Sequence, residues 1–307
     1  MGFGHGKVIL LGEHSVVYGN PAIASSLSMG VHAEAQASDG EASLSVEPWH
    51  VRVPSEASDN PQLAKAWQAL LAAYPQQEGL CVHAESNLPG GAGLGCSAAM
   101  GVALVQALDE WHGITRSPES QVEVSLIWER VFHGNPSGID NTMAVLGGTA
   151  RYCREQPLQT LEVGQPLSLV IAHSGVFSST QAMVDKVAQQ RQQQLAAVDA
   201  LFARISQLVK DAQKALSDGD VQSLGEMMEA NHAYLRELGV SADPLDDLCE
   251  RARQAEAWGA KLTGAGGGGC MIALAREPDH AQSLVQHLRP LAAQVFSTEV
   301  SASAVAS

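Results

Sequence analysis

The stretch Leu88–Ala99, LPGGAGLGCSAA, narrows the folds open to this chain more than any other. Its glycines at 90, 91, 93 and 95 run into SAAMGVALVQALDEW, whose apolar spacing predicts an amphipathic helix over about 97–111. Glycine at a helix start lets a ligand approach the unpaired backbone N–H groups without a Cβ in the way. The aligned peptide dipoles add an attraction for anions, phosphate above all. Upstream, GLCVHAESNLP reads as a strand, so the expected unit is strand, glycine loop, helix. A flexible turn with an ordinary cap would also satisfy these residues taken alone.

A second glycine run, TGAGGGG at 263–269, formally contains GxGxxG. It reads as following a short helix end and opening the strand CMIALA, whereas the dinucleotide fingerprint follows a strand and opens a helix. No GxxxxGK[ST] occurs, which excludes a Walker-type loop. Two non-standard glycine loops remain, both suited to close approach by an anion.

Any phosphate must be held locally, because a net charge of −15 speaks against a nucleic-acid partner. The 307 residues, 45% of them hydrophobic, suit a globular protein of two domains. The turn-prone REQPLQTLEVGQP puts the expected boundary near 160, giving domains 1–160 and 161–307. No apolar run approaches a bilayer span and no signal pattern opens the chain, so a cytoplasmic protein without a membrane partner is expected. The five cysteines are scattered without a CxxC pair and are expected to be reduced and mostly buried. Eleven histidines show no metal-binding spacing.

Along the chain, KVILL at 7–11 reads as a buried strand, and residues 30–53 as paired strands turning at Asp39-Gly40. Helices are expected over 61–74 and through VEVSLIWERVFHG, with helical spacing from 181 to 216, including Leu195, and again over 221–238 and 244–258. SLVIAHS at 168–174 reads as a strand.

Taken in order, GKVILLGEHSVVYG, PGGAGLGCSAA, HGNPSGIDN and KLTGAGGGGC resemble the motifs of the GHMP kinase superfamily, and of the mevalonate kinases within it. HSGVFSSTQAMV and MMEANHAYLRELGV extend the likeness across nearly the whole chain. The resemblance implies an α+β, two-domain fold, the N-terminal part like ribosomal protein S5 domain 2 and the C-terminal part ferredoxin-like, with the active site in the cleft between them. It implies ATP and Mg²⁺ as cofactors and the 5-hydroxyl of mevalonate as acceptor, and it leaves room for a homodimer.

Residue by residue, the resemblance assigns Asp140 as the base near the accepting hydroxyl and Lys7 as its neighbour. Ser97 and Glu129 would hold Mg²⁺, while Pro89, Gly90, Gly91, Ala92, Gly93, Leu94, Gly95, Cys96 and Ser97 would wrap the ATP phosphates. Glu13, His14 and Thr180 would lie near the acceptor, and Gly266 belongs to the loop Gly264–Gly269 that would shape the floor of the site. Phosphomevalonate kinase, mevalonate 3-kinase and diphosphomevalonate decarboxylase are related alternatives. Three features depart from the family pattern: GHGK stands for the usual APGK, Cys96 replaces the first serine of a pair, and the chain is shorter than animal relatives. At a helix start, the Cys96 thiol is expected to have a lowered pKa.

Overall fold

The structure, a computed structural model, describes residues 1–53, 60–75, 78–89, 92–133, 136, 138–154 and 156–301. The chain forms two compact units that interleave in sequence. Met1–Lys7, Met29–Gly90 and Gly95–Gly147 make the first, and Val8–Ser28, Gly91–Leu94 and Gly148–Ser307 the second.

The first unit takes residues 1–7 of strand β1 (Gly2–Leu11) and the later part of β2 (Ala22–Glu41), with β3 (Ser43–Glu47), β4 (Val51–Val53) and β5 (Glu78–Ser86). Its helices are α1 (Pro61–Leu71), α2 (Cys96–His112), α3 (Pro118–His133) and α4 (Ile139–Leu146). Helix α2 is buried along most of its length, from Ala98, Ala99 and Met100 to Val105 and Leu108. A helix apolar on nearly every side belongs in the middle of a core, and α3, α4 and β5 pack against it accordingly, α3 packing also on α1. Its one buried carboxylate, Asp109, is satisfied by the Tyr74 hydroxyl at 2.9 Å and Arg116 Nε at 2.9 Å.

The second unit contains β6 (Thr149–Tyr152) and β7 (Gln159–Leu161), with β6 pairing Ala22–Ser25 of β2. Its other sheet is antiparallel throughout and built from β8 (Leu167–His173), β9 (Gly259–Leu262), β10 (Cys270–Leu274) and β11 (Gln294–Val300), in the order β11-β8-β10-β9. Helices α5 (Thr180–Gln193), α6 (Leu195–Asp218), α7 (Val221–Glu237), α8 (Asp243–Gln254) and α9 (Pro278–Leu288) complete the unit. Val170, Ala172, Leu262 and Met271 of the sheet meet Ile205, Leu235, Leu248 and Leu284 of the helices in one core.

Several boundaries differ from the sequence reading. Strand β2 runs through Asp39-Gly40 to Glu41, its register against β5 shifting between Ala37 and Glu41, and β3 then pairs with β5 in parallel. Helix α1 stops at Leu71, which frees Tyr74 to reach Asp109. The helical spacing over 181–216 is divided at Gln194, whose φ of −137° and ψ of 51° break the helix, and Leu195 is exposed rather than part of a buried stripe. Helix α8 ends at Gln254, ahead of Glu256 at φ 65°. The second glycine run follows strand β9, not a helix end, and so connects an antiparallel hairpin. Among the described residues no helix is long and apolar enough to cross a membrane. All five cysteines are free and buried.

Candidate active site

In the first unit, β1 delivers Lys7 and the first turn of α4 delivers Asp140, with Lys7 Nζ 3.4 Å from Asp140 Oδ1. The lysine side chain is 8% exposed and the carboxylate 40%, so the pair has one buried and one open end. Gly95 makes room for this arrangement. It precedes α2 at φ 73°, and a Cβ there would stand 3.0 Å from Lys7 Cγ.

Helix α3 places Glu129 inward, 4% exposed, with Oε2 3.5 Å from Nε2 of His133 one turn on. Its Oε1 is buried without a hydrogen-bond partner, and so is Oγ of Ser97 at the start of α2. Burial pushes the Glu129 carboxyl above its ordinary value; the Ser97 hydroxyl, His133 and Lys7 oppose that, and Asp140 adds to it. Buried polar atoms without partners are uncommon, and here they are a hydroxyl and a carboxylate oxygen, the hard donors that suit Mg²⁺. Among the described residues no group of three or more His, Cys, Asp or Glu could hold a metal alone, so phosphate oxygens and water would have to complete the shell.

Of the first glycine loop, Gly90 and Gly91 lie outside the described residues. Pro89 is half-buried, Ala92 and Leu94 are buried, and Gly93 is exposed. Cys96 is 9% exposed, its sulfur 3.4 Å from Ser86 Oγ. Burial raises its thiol pKa, the Ser86 hydroxyl opposing and Glu129 adding, which reverses the expectation of an activated thiol. Loss of solvation outweighs the field of the helix start at so enclosed a sulfur.

In the second unit the two glycine runs meet. A Cβ on Gly269 would stand 3.3 Å from the carbonyl oxygen of Ala92, and one on Gly264 3.7 Å from that of Gly93. Gly266 is buried at φ 77°, and a Cβ there would overlap the Val240 carbonyl oxygen at 2.1 Å. Its glycine character is thus required by seating of the hairpin on the α7–α8 connection.

Glu13 and His14 occupy the turn after β1. Glu13 is 1% exposed, paired with the buried ammonium of Lys261 on β9 and accepting from Asn231 Nδ2 on α7 at 2.9 Å. His14, 5% exposed, has φ 59° and its Nε2 2.8 Å from the Ala265 carbonyl oxygen. Burial lowers its pKa, opposed by the Ala265 bond and Glu13. Thr180 is the exposed first residue of α5, behind a Ser179 cap.

Among the residues the sequence reading named, Lys7 with Asp140 are brought together within one unit, as are Glu13 with His14 within the other. It passed over Lys261, Asn231 and His133. Lys261 is a lone charge in an apolar strand, and Asn231 falls on the stripe Leu224, Met228, Asn231, Leu235, so both left a mark in the pattern. His133 follows Glu129 by four residues, the spacing of one helix face.

The description GHMP kinases N terminal domain matches residues 62–149, and GHMP kinases C terminal matches residues 205–290. The mevalonate kinase of Thermococcus sibiricus is 33% identical over 294 residues, covering 88% of this chain and 87% of its own length. That of Pyrococcus horikoshii is 35% identical over 294 residues, covering 88% and 86%. The crystal structure of Leishmania major mevalonate kinase in complex with R-mevalonate superposes with a TM-score of 0.90 at 32% identity, covering 99% of this chain and 96% of that one. The chain therefore belongs to the GHMP kinases, in their mevalonate kinase family.

Proposed function

We propose that this chain transfers the γ-phosphoryl group of ATP to the primary 5-hydroxyl of mevalonate, releasing ADP and 5-phosphomevalonate. The observation that carries this reading is the buried Lys7 beside Asp140, in the same unit as the unpartnered oxygens of Ser97 and Glu129. Phosphoryl transfer asks a protein for alignment and for positive potential around spread negative charge, and for little covalent work. Backbone N–H groups at the start of α2 supply part of that potential toward the phosphates. Ser97 Oγ and Glu129 Oε1 are the ligands the chain offers Mg²⁺, which when bound offsets phosphate charge.

Asp140 accepts the hydroxyl proton as the alcohol oxygen bonds to the γ-phosphorus, and the bond to the bridging oxygen breaks, the electron pair leaving with ADP. Lys7 stabilises the negative charge that builds on the attacking oxygen. The acceptor is supported by the R-mevalonate complex of the Leishmania relative. A panel of mevalonate, phosphomevalonate, galactose and homoserine with ATP and Mg²⁺, scored by ADP release and by the position of the new phosphate ester, tests it. Mevalonate should turn over far faster than the rest and yield the 5-ester; preference for another acceptor, or release of CO₂, overturns the assignment.

A further inference from the structure

Helix α4 is eight residues long, too short to be stable alone, and its N-cap is Gly138, which has no side chain to tie down the first turn. Met143 and Ala144 are buried and anchor its body. Apolar contact is non-directional, so it sets how closely the helix packs and specifies its rotation weakly. The first turn carries two neighbours that face apart: Asp140, whose carboxylate is open, and Asn141, which is 1% exposed.

Asn141 Nδ2 donates to Ser125 Oγ on α3 at 2.9 Å. The serine hydroxyl gives its proton to the Val122 carbonyl at 2.8 Å, so toward α4 it can only accept. An apolar pair of similar shape could fill this buried seam at nearly no loss of stability, so packing alone does not call for an amide and a hydroxyl. What they add is direction. Consecutive helical residues stand about 100° apart around the axis, so holding Asn141 inward sets the azimuth of Asp140. The pair with Lys7 does not do this, because a lysine's flexible stem follows a displaced carboxylate.

Glu129, one turn after Ser125 on α3, is seated by a different seam. A Cβ on Gly101 would stand 2.9 Å from Cδ1 of Trp128, so the bare glycine lets α3 approach α2 beside Glu129 and one turn beyond Ser97. The two oxygens offered to Mg²⁺ are thus placed without help from Asn141.

We propose that Asn141, through its hydrogen bond to Ser125, is a positioning residue that holds the first turn of α4 so that Asp140 meets the accepting hydroxyl. It acts on phosphoryl transfer and not on the metal or the nucleotide, and it rests on the role given to Asp140 in the reading above.

Asn141→Leu and Ser125→Ala each remove the bond, and the double variant replaces it with an apolar pair. In ¹³C and ¹⁵N spectra of the ligand-free protein, the Asp140 amide and carboxyl signals should shift or broaden in both single variants. With mevalonate, kcat should fall about tenfold or more in each, the cost of a misplaced reacting group, while KM for ATP and the Mg²⁺ concentration for half-maximal rate stay within about twofold. The double variant should lose no more than either single one, because one bond is lost once, and its kcat should stay low even where its melting temperature returns to that of wild type. A kcat within a few-fold of wild type in the folded single variants overturns the proposal, as does a loss shared by kcat and the Mg²⁺ dependence, or single losses that multiply in the double variant. Should Asn141→Leu not fold, Ser125→Ala, the smaller change, decides by the same measures. If wild type fails to phosphorylate mevalonate, the functional reading falls by itself, and the Asp140 spectra decide whether Asn141 holds the turn, unmoved signals overturning it.

Discussion

Asp140 lies in the first turn of α4, where the helix dipole favours a carboxylate, and it is open enough to receive a substrate while Lys7 behind it is not. That asymmetry is what a proton acceptor at a reacting hydroxyl needs: contact on one face and fixed charge on the other. Asp140→Asn keeps the shape and removes the oxygen proposed to accept the proton, so kcat should drop by about 10²–10⁴ while nucleotide affinity stays within a few-fold. Pre-steady-state phosphoryl transfer and calorimetric ATP binding measure the two quantities separately. A variant within a few-fold of wild type in kcat would remove Asp140 from the chemistry. Glu13, by contrast, reads in sequence as a second acidic residue near the acceptor, yet both of its oxygens are occupied inside the fold. A residue's type was legible; whether its carboxylate faces a ligand or a buried lysine depends on a partner 248 positions away.

The start of α2 is the element on which the proposed site depends most. Ser97 Oγ lacks a partner there, whereas the neighbouring Cys96 sulfur is engaged with Ser86 on the way out of β5. Adjacent residues on one helical turn thus face different surroundings, and their substitutions should separate. Cys96→Ser should keep activity within a few-fold, since a hydroxyl can make the same contact to Ser86, and Ser97→Ala should lower kcat/KM by about 10–10³ through lost metal and phosphate positioning. The native thiol should also label slowly with iodoacetamide, in keeping with its burial and raised pKa. A crippled Cys96→Ser beside an active Ser97→Ala would mean that the loop runs in another register. Elements with a strong period and a glycine or proline signal, α2 and β8 among them, could be read from sequence. Those decided by partners could not. β9 is four residues long and is a strand because β10 pairs with it, and β3 joins β5 in parallel across a long connection that no local pattern announces.

Across the whole molecule, burial sets the response to acid. His232 is 2% exposed, with Nε2 3.2 Å from Asp246 Oδ1, and its pKa falls from 6.5 to about 4. Burial is the main cause; Asp246 opposes it, while Lys261, Arg253 and Arg236 add to it. His14 and His173 are lowered by burial as well. The unfolded chain then binds protons that the folded one refuses, so the contribution of His232 to stability is complete above about pH 6.5 and is lost as the pH falls toward 4. Melting temperature should decline from about pH 7 to about pH 4.5, and His232→Gln should flatten the decline over that window. Equal slopes for the two proteins would show that His232 is not refused its proton by the fold. The interleaving of the two units carries a consequence for biosynthesis. Glu13 leaves the ribosome long before Lys261, its partner in the second unit, has been made. Until then the carboxylate must stay in water, so the turn that bears it cannot settle into its final place, and folding of that unit waits for the C-terminal hairpin. A fragment cut at residue 148 would inherit the opposite fault, an ammonium built for the interior with no counter-charge to meet it.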